Sequence, residues 1–310
     1  MVKHLTIFKN FNIPDKLKNS IVLIGNFDGL HSGHQKLFHL AKKYKTKCKS
    51  KIGVITFDPI PKMFFNKHIK NYRISNLNQK IFYLKKFGVD FIINKKFDKK
   101  FSKITYMMFI KDILSKKLKS KFIFVSSNFR FGNKREGDVV LLKKYERDFD
   151  YTLINPSPLK KNKKIISSTI IRKLLEEGQL SKANSFLKRN WEIEGKVQKG
   201  RMMGQKIGFP TCNIDIGNYV IAKPGVYAVR VRIDDKNRTL KGIANLGYRP
   251  TFDQKKILLE VNIFNFSGNL YNKKLSVEFL KFIRGEKKFK GIGELKNQIN
   301  KDILKAKKIS

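Results

Sequence analysis

Ile21-Val22-Leu23-Ile24-Gly25-Asn26-Phe27-Asp28-Gly29-Leu30-His31-Ser32-Gly33-His34 joins an unbroken apolar run to a glycine-punctuated loop, and Leu37, Leu40, Ala41 and Tyr44 then recur at helical spacing. Four apolar residues without a polar break read as a strand buried on both faces, so the segment is strand, loop, helix. The same alternation runs on. Ile52–Phe57 is the next strand; Ser75 is the expected N-cap of a helix carrying Ile81 and Leu84 that stops at Gly88; Phe91–Ile93 is a strand. A helical stripe at Phe109, Ile110, Ile113 and Leu114 precedes the strand Phe122–Val125, a helix at Val139–Tyr145 and the strand Tyr151–Ile154. Strands alternating with helices in this way predict a parallel, doubly wound α/β sheet.

The pattern changes near residue 188. Trp191–Val197 alternates, Val229, Val231 and Ile233 alternate with Arg230 and Arg232, and Ile257–Phe266 and Leu275–Leu280 read as strands separated by Gly, Pro and Asn. The expectation is an antiparallel sheet or small antiparallel β-barrel closed by a terminal helix with Leu295, Ile299, Ile303 and Leu304 on one face. A chain of 310 residues supports two such domains, expected at 1–187 and 188–310.

The net charge is +44, from 68 Lys+Arg against 24 Asp+Glu, and only 12 of the 68 are Arg. Lysines strewn through every segment read as a compositional bias that favours anionic substrates, with nucleic acid bound non-specifically if at all. With 41% hydrophobic residues the chain is folded, and no run reaches the roughly 18 apolar residues of a spanning helix. No uninterrupted apolar region follows Met1, and Cys48 and Cys212 are far apart, so a reducing cytoplasm is expected and membrane insertion is not.

Four stretches carry chemistry. After the first strand, glycines let the backbone approach a ligand, a helix N-terminus offers free N–H groups to phosphate, and His31 and His34 point to the same anion. Zinc is the rival for paired histidines, but no third ligand stands at a suitable spacing. Ile166-Ser167-Ser168-Thr169-Ile170-Ile171-Arg172 opens a helix, where hydroxyls serve either as N-caps or, with Arg172 one turn on, as an anion cradle. Thr56-Phe57-Asp58-Pro59-Ile60-Pro61 is a proline-stiffened loop or simple turn. Gly200-Arg201-Met202-Met203-Gly204-Gln205-Lys206-Ile207-Gly208-Phe209-Pro210-Thr211-Cys212-Asn213 is either a glycine-rich hairpin or a phosphate loop whose Thr211 and Asn213 share a strand face and offer oxygens to Mg²⁺.

Taken together these motifs resemble the bacterial bifunctional riboflavin kinase/FAD synthetases. The segment around His31 and His34 is similar to the H-x-G-H signature of nucleotidyltransferases, Ile166–Arg172 to I-S-S-T-x-I-R, and Gly208–Asn213 to the riboflavin-kinase G-F-P-T-A-N, with Cys212 in place of Ala. The resemblance implies a Rossmann-like N-terminal FMN adenylyltransferase domain and a C-terminal riboflavin kinase domain, using ATP twice, with Mg²⁺, to convert riboflavin to FMN and FMN to FAD. It implies that His31 and His34 act at the α-phosphate and that Gly25, Asn26, Phe27, Asp28, Gly33, Asn128, Ser167, Ser168, Thr169 and Arg172 bind that ATP. Phe57, Pro59 and Pro61 fall at its flavin loop. In the kinase it assigns phosphate binding to Gly204, Lys206, Gly208, Phe209 and Pro210, metal binding to Thr211 and Asn213, and the general base to Glu260, which in isolation reads as a solvent-facing residue of its strand. Further kinase-like segments are Pro224–Tyr227, Asn245–Phe252 and Phe282–Glu286 with Arg284. The sequence departs from the family where Ser126 and Ser127 replace a Gly and an acidic residue, and where Met203 and Gln205 stand at positions often Arg. One active module alone is the alternative reading.

Overall fold

A computed structural model describes residues 5–161, 164–199, 203–234, 238–250 and 255–309. Among the described residues, six strands build the sheet of the first unit: β1 (Thr6–Phe8), β2 (Ile21–Ile24), β3 (Ile52–Asp58), β4 (Phe91–Lys96), β5 (Phe122–Phe124) and β6 (Thr152–Ile154). They pair in the order β1-β4-β3-β2-β5-β6, every pair parallel. The uniform apolarity of β2 follows from its position. Ile21 and Leu23 face a layer with Leu37, Phe38, Ala41 and Leu84, while Val22 and Ile24 face a second layer with Phe109, Ile110, Ile113 and Leu114. Both faces are covered by helices, so neither can be polar. A short antiparallel ribbon, β7 (Lys160–Lys161) and β8 (Lys164–Ile165), follows.

Strand order reverses between β2 and β5, because β3 and β4 lie on one side of β2 and β5 and β6 on the other. Such a reversal leaves a crevice beyond the carboxyl ends of the two strands, the usual ligand position in an open α/β sheet. The His31 loop follows β2 and the Ser126–Asn128 loop follows β5.

The second unit is a closed six-stranded antiparallel barrel, β9 (Trp191–Gln198), β10 (Cys212–Asp215), β11 (Gly225–Ile233), β12 (Thr239–Pro250), β13 (Lys255–Ile263) and β14 (Lys274–Gly285), ordered β10-β13-β12-β11-β14-β9. Trp191, Tyr227 and Phe279 meet in its core, with ring centroids 4.7 and 4.9 Å apart. The compact units divide between Ser167 and Ser168, earlier than the change of pattern near Leu187. The reason is burial: Ile171, Leu174 and Leu175 of the helix Ser168–Glu176, and Leu180, Ala183 and Leu187 of the helix Leu180–Leu187, belong to the barrel's core.

One strip of the first half also folds with the barrel, Asn71–Asn76. Ile74 enters the barrel core and its carbonyl accepts from Trp191 Nε1 at 2.9 Å. Arg73 N–H donates to Asn218 O at 2.8 Å, and Val220 N–H returns to Arg73 O at 2.8 Å. This strip explains why the next helix begins at Leu77 rather than after Ser75, since Ser75 and Asn76 belong to the strip.

The closing helix, Ile292–Lys307, presents Ile303 and Ala306 to the barrel. Leu304 is not on that face and is 61% exposed. Asp302 takes the buried position instead, because Arg284 Nε donates to its carboxylate at 2.8 Å and Gln298 Nε2 at 2.9 Å. Charge pairing thus outranks apolar spacing on this helix.

Candidate active sites

In the first unit, Gly25 N–H continues the ladder to Ile55 O, after which Phe27 and Leu30 turn the chain at positive φ with their side chains buried. Those two anchors fix the loop so that His31 becomes the N-cap of the helix Ser32–Cys48. His31 Nδ1 accepts from the His34 N–H at 3.4 Å, so the ring proton sits on Nε2. The two imidazoles stack at 3.7 Å with 23° between planes, and Phe27 meets His34 edge-on at 5.2 Å. Gly33 is required by close approach, since a Cβ there would lie 3.1 Å from the His31 ring and 3.2 Å from Ile166 O. Burial, and secondarily the charges of His31 and Lys80, hold the His34 pKa well below the ordinary imidazole range. The pair therefore presents ring nitrogens rather than two full charges at a helix N-terminus, where backbone N–H groups supply the positive potential. His34 Nδ1 and Asn26 Oδ1 are buried without a hydrogen-bond partner, and Asp28 is buried in the same loop.

Across the crevice Ser126 Oγ donates to Asn128 Oδ1 at 2.9 Å, which orients the exposed Asn128 amide. Here the Ser replacing the family's Gly has a local function. Phe57 is buried against Phe97 and Phe101, the Asp58–Pro59 peptide is cis, and Pro61 begins the helix Pro61–Phe65. Phe57 thus fixes the base of that loop from the core. Ser167 ends the first unit, whereas Ser168 and Thr169 open the helix Ser168–Glu176 of the second. Arg172 is buried in the second unit: its Nε donates to Tyr72 O at 2.6 Å and its guanidinium lies 3.6 Å from the centre of the Tyr72 ring.

In the barrel, register rather than spacing assembles the site. Ile214, Leu259, Val261, Ala244 and Leu246 point into the core. Alternation turns Asn213, Glu260 and Asn245 to the outer face, and pairing sets Asn213 opposite Glu260 and Glu260 opposite Asn245. Cys212 faces the other way, with its Sγ donating to Val261 O at 3.3 Å and burial pushing its pKa up to about 11. The loop before β10 folds back on itself through Phe209 N–H to Gly204 O at 2.8 Å, and Asn262 Nδ2 holds Pro210 O at 2.6 Å. Gly208 has φ of +89°. A Cβ on Gly204 would lie 2.4 Å from Phe209 O and 3.1 Å from Thr211 Oγ1. Gly204→Ala must therefore open the loop, and the expected result is a KM for ATP in the barrel's reaction raised about tenfold, the equivalent of 1.4 kcal/mol; steady-state kinetics check it. Thr211 and Asn213 offer neutral oxygens of the kind a hard divalent ion takes, and no group of three or more His, Cys, Asp or Glu among the described residues could hold a metal. A Mg²⁺ ion here fits only if phosphate oxygens and water complete its shell. Gly200, Arg201, Met202, Thr251 and Phe252, and the side chains of Met203, Lys206, Arg249 and Pro250, lie outside the described residues.

The family model for FAD synthetase matches residues 13–170 and that for riboflavin kinase residues 187–310. The chain belongs to the bifunctional riboflavin kinase/FMN adenylyltransferases. A member from Buchnera aphidicola subsp. Schizaphis graminum is 42% identical over 302 residues, covering 96% of each chain. The Escherichia coli K12 member is 36% identical over 287 residues, covering 93% of this chain and 91% of its own. A solved structure described as a macrolide-efflux protein from Streptococcus pneumoniae superposes with a TM-score of 0.87 at 30% identity over 99% of both chains. In this bifunctional kinase/adenylyltransferase no helix among the described residues is long and apolar enough to cross a membrane. Both activities are those of the family, ATP-dependent formation of FMN and then of FAD, and nothing in these similarities favours a single working module. Thr56 and Lys80, which the motifs did not single out as ligands, join the first site's polar core; in a chain this rich in lysine no local signal marks Lys80.

Proposed function

We propose that residues 1–187 carry adenylyl transfer and 188–310 riboflavin phosphorylation, each by the residues of its own motifs, in a reducing cytoplasm. Riboflavin's ribityl 5′-hydroxyl gives its proton to Glu260 as its oxygen attacks the γ-phosphorus of ATP and ADP leaves. Gly204, Lys206, Gly208, Phe209 and Pro210 cradle the phosphates, and Thr211 and Asn213 hold Mg²⁺. The ion, when bound, neutralises charge on the phosphate oxygens. FMN's phosphate then attacks the α-phosphorus of a second ATP and pyrophosphate leaves. His31 Nε2–H donates to an α-phosphate oxygen beside the backbone N–H groups of the helix start, and His34 keeps the His31 ring in its stack. Gly25, Asn26, Phe27, Asp28 and Gly33 shape that pocket; Asn128 and Ser167 bind the same nucleotide; the Phe57–Pro61 loop borders the flavin.

What supports this reading is that each short motif folds into one local cluster of the polarity its reaction needs: two imidazoles on a helix N-terminus at the strand-order reversal, and a carboxylate between two asparagines on the barrel's outer face. The test is a time course with riboflavin, ATP and Mg²⁺, resolved by chromatography. FMN rising and giving way to FAD is expected. FMN accumulating alone would place a defect at the first unit, with the Ser126–Asn128 loop the first place to look.

A further inference from the structure

The helix Leu77–Lys86 carries four lysines or glutamines outside its apolar stripe, and one of them, Lys80, is 1% exposed. Burying an ammonium is costly unless it is used. Its Nζ donates to Thr56 Oγ1 at 3.2 Å, and Thr56, itself fully buried on β3, donates the same hydroxyl's proton to Asn26 O at 3.3 Å. A hydroxyl that accepts on one side and donates on the other is a relay with a fixed direction. Its far end is the backbone of the loop that carries His31 and His34. Asn94, in register with Thr56 on β4, is also buried, and its Oδ1 lacks a partner, as do Asn26 Oδ1 and His34 Nδ1. Buried polar groups from four elements therefore converge beneath the histidine pair, where a packed core alone would put none.

We propose that Lys80, acting through Thr56, is a positioning residue for adenylyl transfer, holding the Asn26 end of the His31–His34 loop at the α-phosphate. The inference rests on the assignment of adenylyl transfer to those histidines. Lys80 also sets the electrostatics of the pair. His34 is faced by the stacked His31 ring from the loop and by the Lys80 ammonium from the helix, while its remaining ring contact, Phe27, is uncharged.

The test uses the full chain, with FAD formation from supplied FMN as the reaction and FMN formation from riboflavin as the internal control. Thr56→Val keeps the shape of the side chain and removes the relay. Its kcat for adenylylation should fall about ten- to a hundredfold, with KM for FMN and ATP shifting far less, because misplacement of reacting groups acts on the chemical step. Thr56→Ser restores the hydroxyl and should recover most of kcat. Lys80→Met removes the ammonium that helps to depress His34, so the acid-side inflection of the adenylylation pH profile should move to higher pH, while Thr56→Val, which keeps the ammonium, should leave it in place. A purely structural pair would lower melting temperature without the serine rescue and without moving the inflection. Wild-type kcat in Thr56→Val overturns the proposal, as does an unmoved inflection in Lys80→Met. Should Lys80→Met not fold, the Val and Ser variants decide it. Retention of FAD synthesis after both histidines are replaced would instead remove the assignment on which the inference rests.

Discussion

Glu260→Gln stops riboflavin phosphorylation and leaves adenylylation of supplied FMN at the wild-type rate: this is the expected outcome of replacing the one carboxylate in the Asn213–Glu260–Asn245 row. Glutamine is nearly isosteric and keeps a polar, hydrogen-bonding side chain between the two asparagines, so the barrel should fold and bind riboflavin with little change in KM. It cannot take a proton. Loss of a positioned general base lowers kcat by about 10²–10⁴-fold, and quantifying FMN from riboflavin measures it. Kinase activity within about threefold of wild type would take Glu260 out of that role. The location of the residue makes the experiment clean, because its side chain is on the outer face, away from Leu259 and Val261 in the core.

The mirror experiment replaces His31 and His34 by Ala together. FAD formation should be abolished while FMN formation continues. Each ring that contacts developing charge is worth about a hundred- to a thousandfold, and the pair acts as one stacked unit, so the double variant should lose little more than the worse single one. The structural cost is separable from the catalytic one. His31 caps the helix Ser32–Cys48 through Nδ1, and losing a cap costs about 1 kcal/mol. His31→Asn supplies a capping oxygen without an imidazole. It should restore thermal stability and leave FAD formation near zero, as judged by a melting curve beside the chromatographic assay. Loss of both activities in the double variant would refute the separation of the two sites.

Much of this architecture is legible in the sequence for a physical reason. A parallel sheet covered on both faces favours short, near-continuous apolar strands, so Ile21–Ile24 and Ile52–Phe57, the latter broken only by Gly53 and Thr56, announce themselves. The loop chemistry is equally local: glycines, hydroxyls and histidines stand within a few residues of one another. What escapes is set by tertiary pairing. β1 is an edge strand with Thr6 and Ile7 exposed, and it leaves no apolar run to read. The stripe at Phe109, Ile110, Ile113 and Leu114 is helical as expected, but its π-helical winding over Phe109–Lys117 has no signature in spacing alone. Asp302 is buried and Leu304 exposed because of an arginine on a strand, which periodicity along the helix does not contain. The Asn213–Glu260 pairing spans two strands far apart in sequence, and Lys80 differs from its many fellow lysines only in where the fold takes it.

The strip Asn71–Asn76 bears on how this gene can be divided. The two activities suggest a protein that could be split into two genes by one break, yet no single break respects the packing. Between the barrel and the parallel sheet the chain passes three times, at 70/71, 76/77 and 167/168. A break before the strip or after it divides the parallel sheet, parting β1, β2 and β3 from β4, β5 and β6. A break at 167/168 leaves Ile74 behind with the sheet, and Trp191 loses the acceptor for its indole N–H. Gene fission here would need the six residues copied into the second gene as well, so fusion is written into the fold itself.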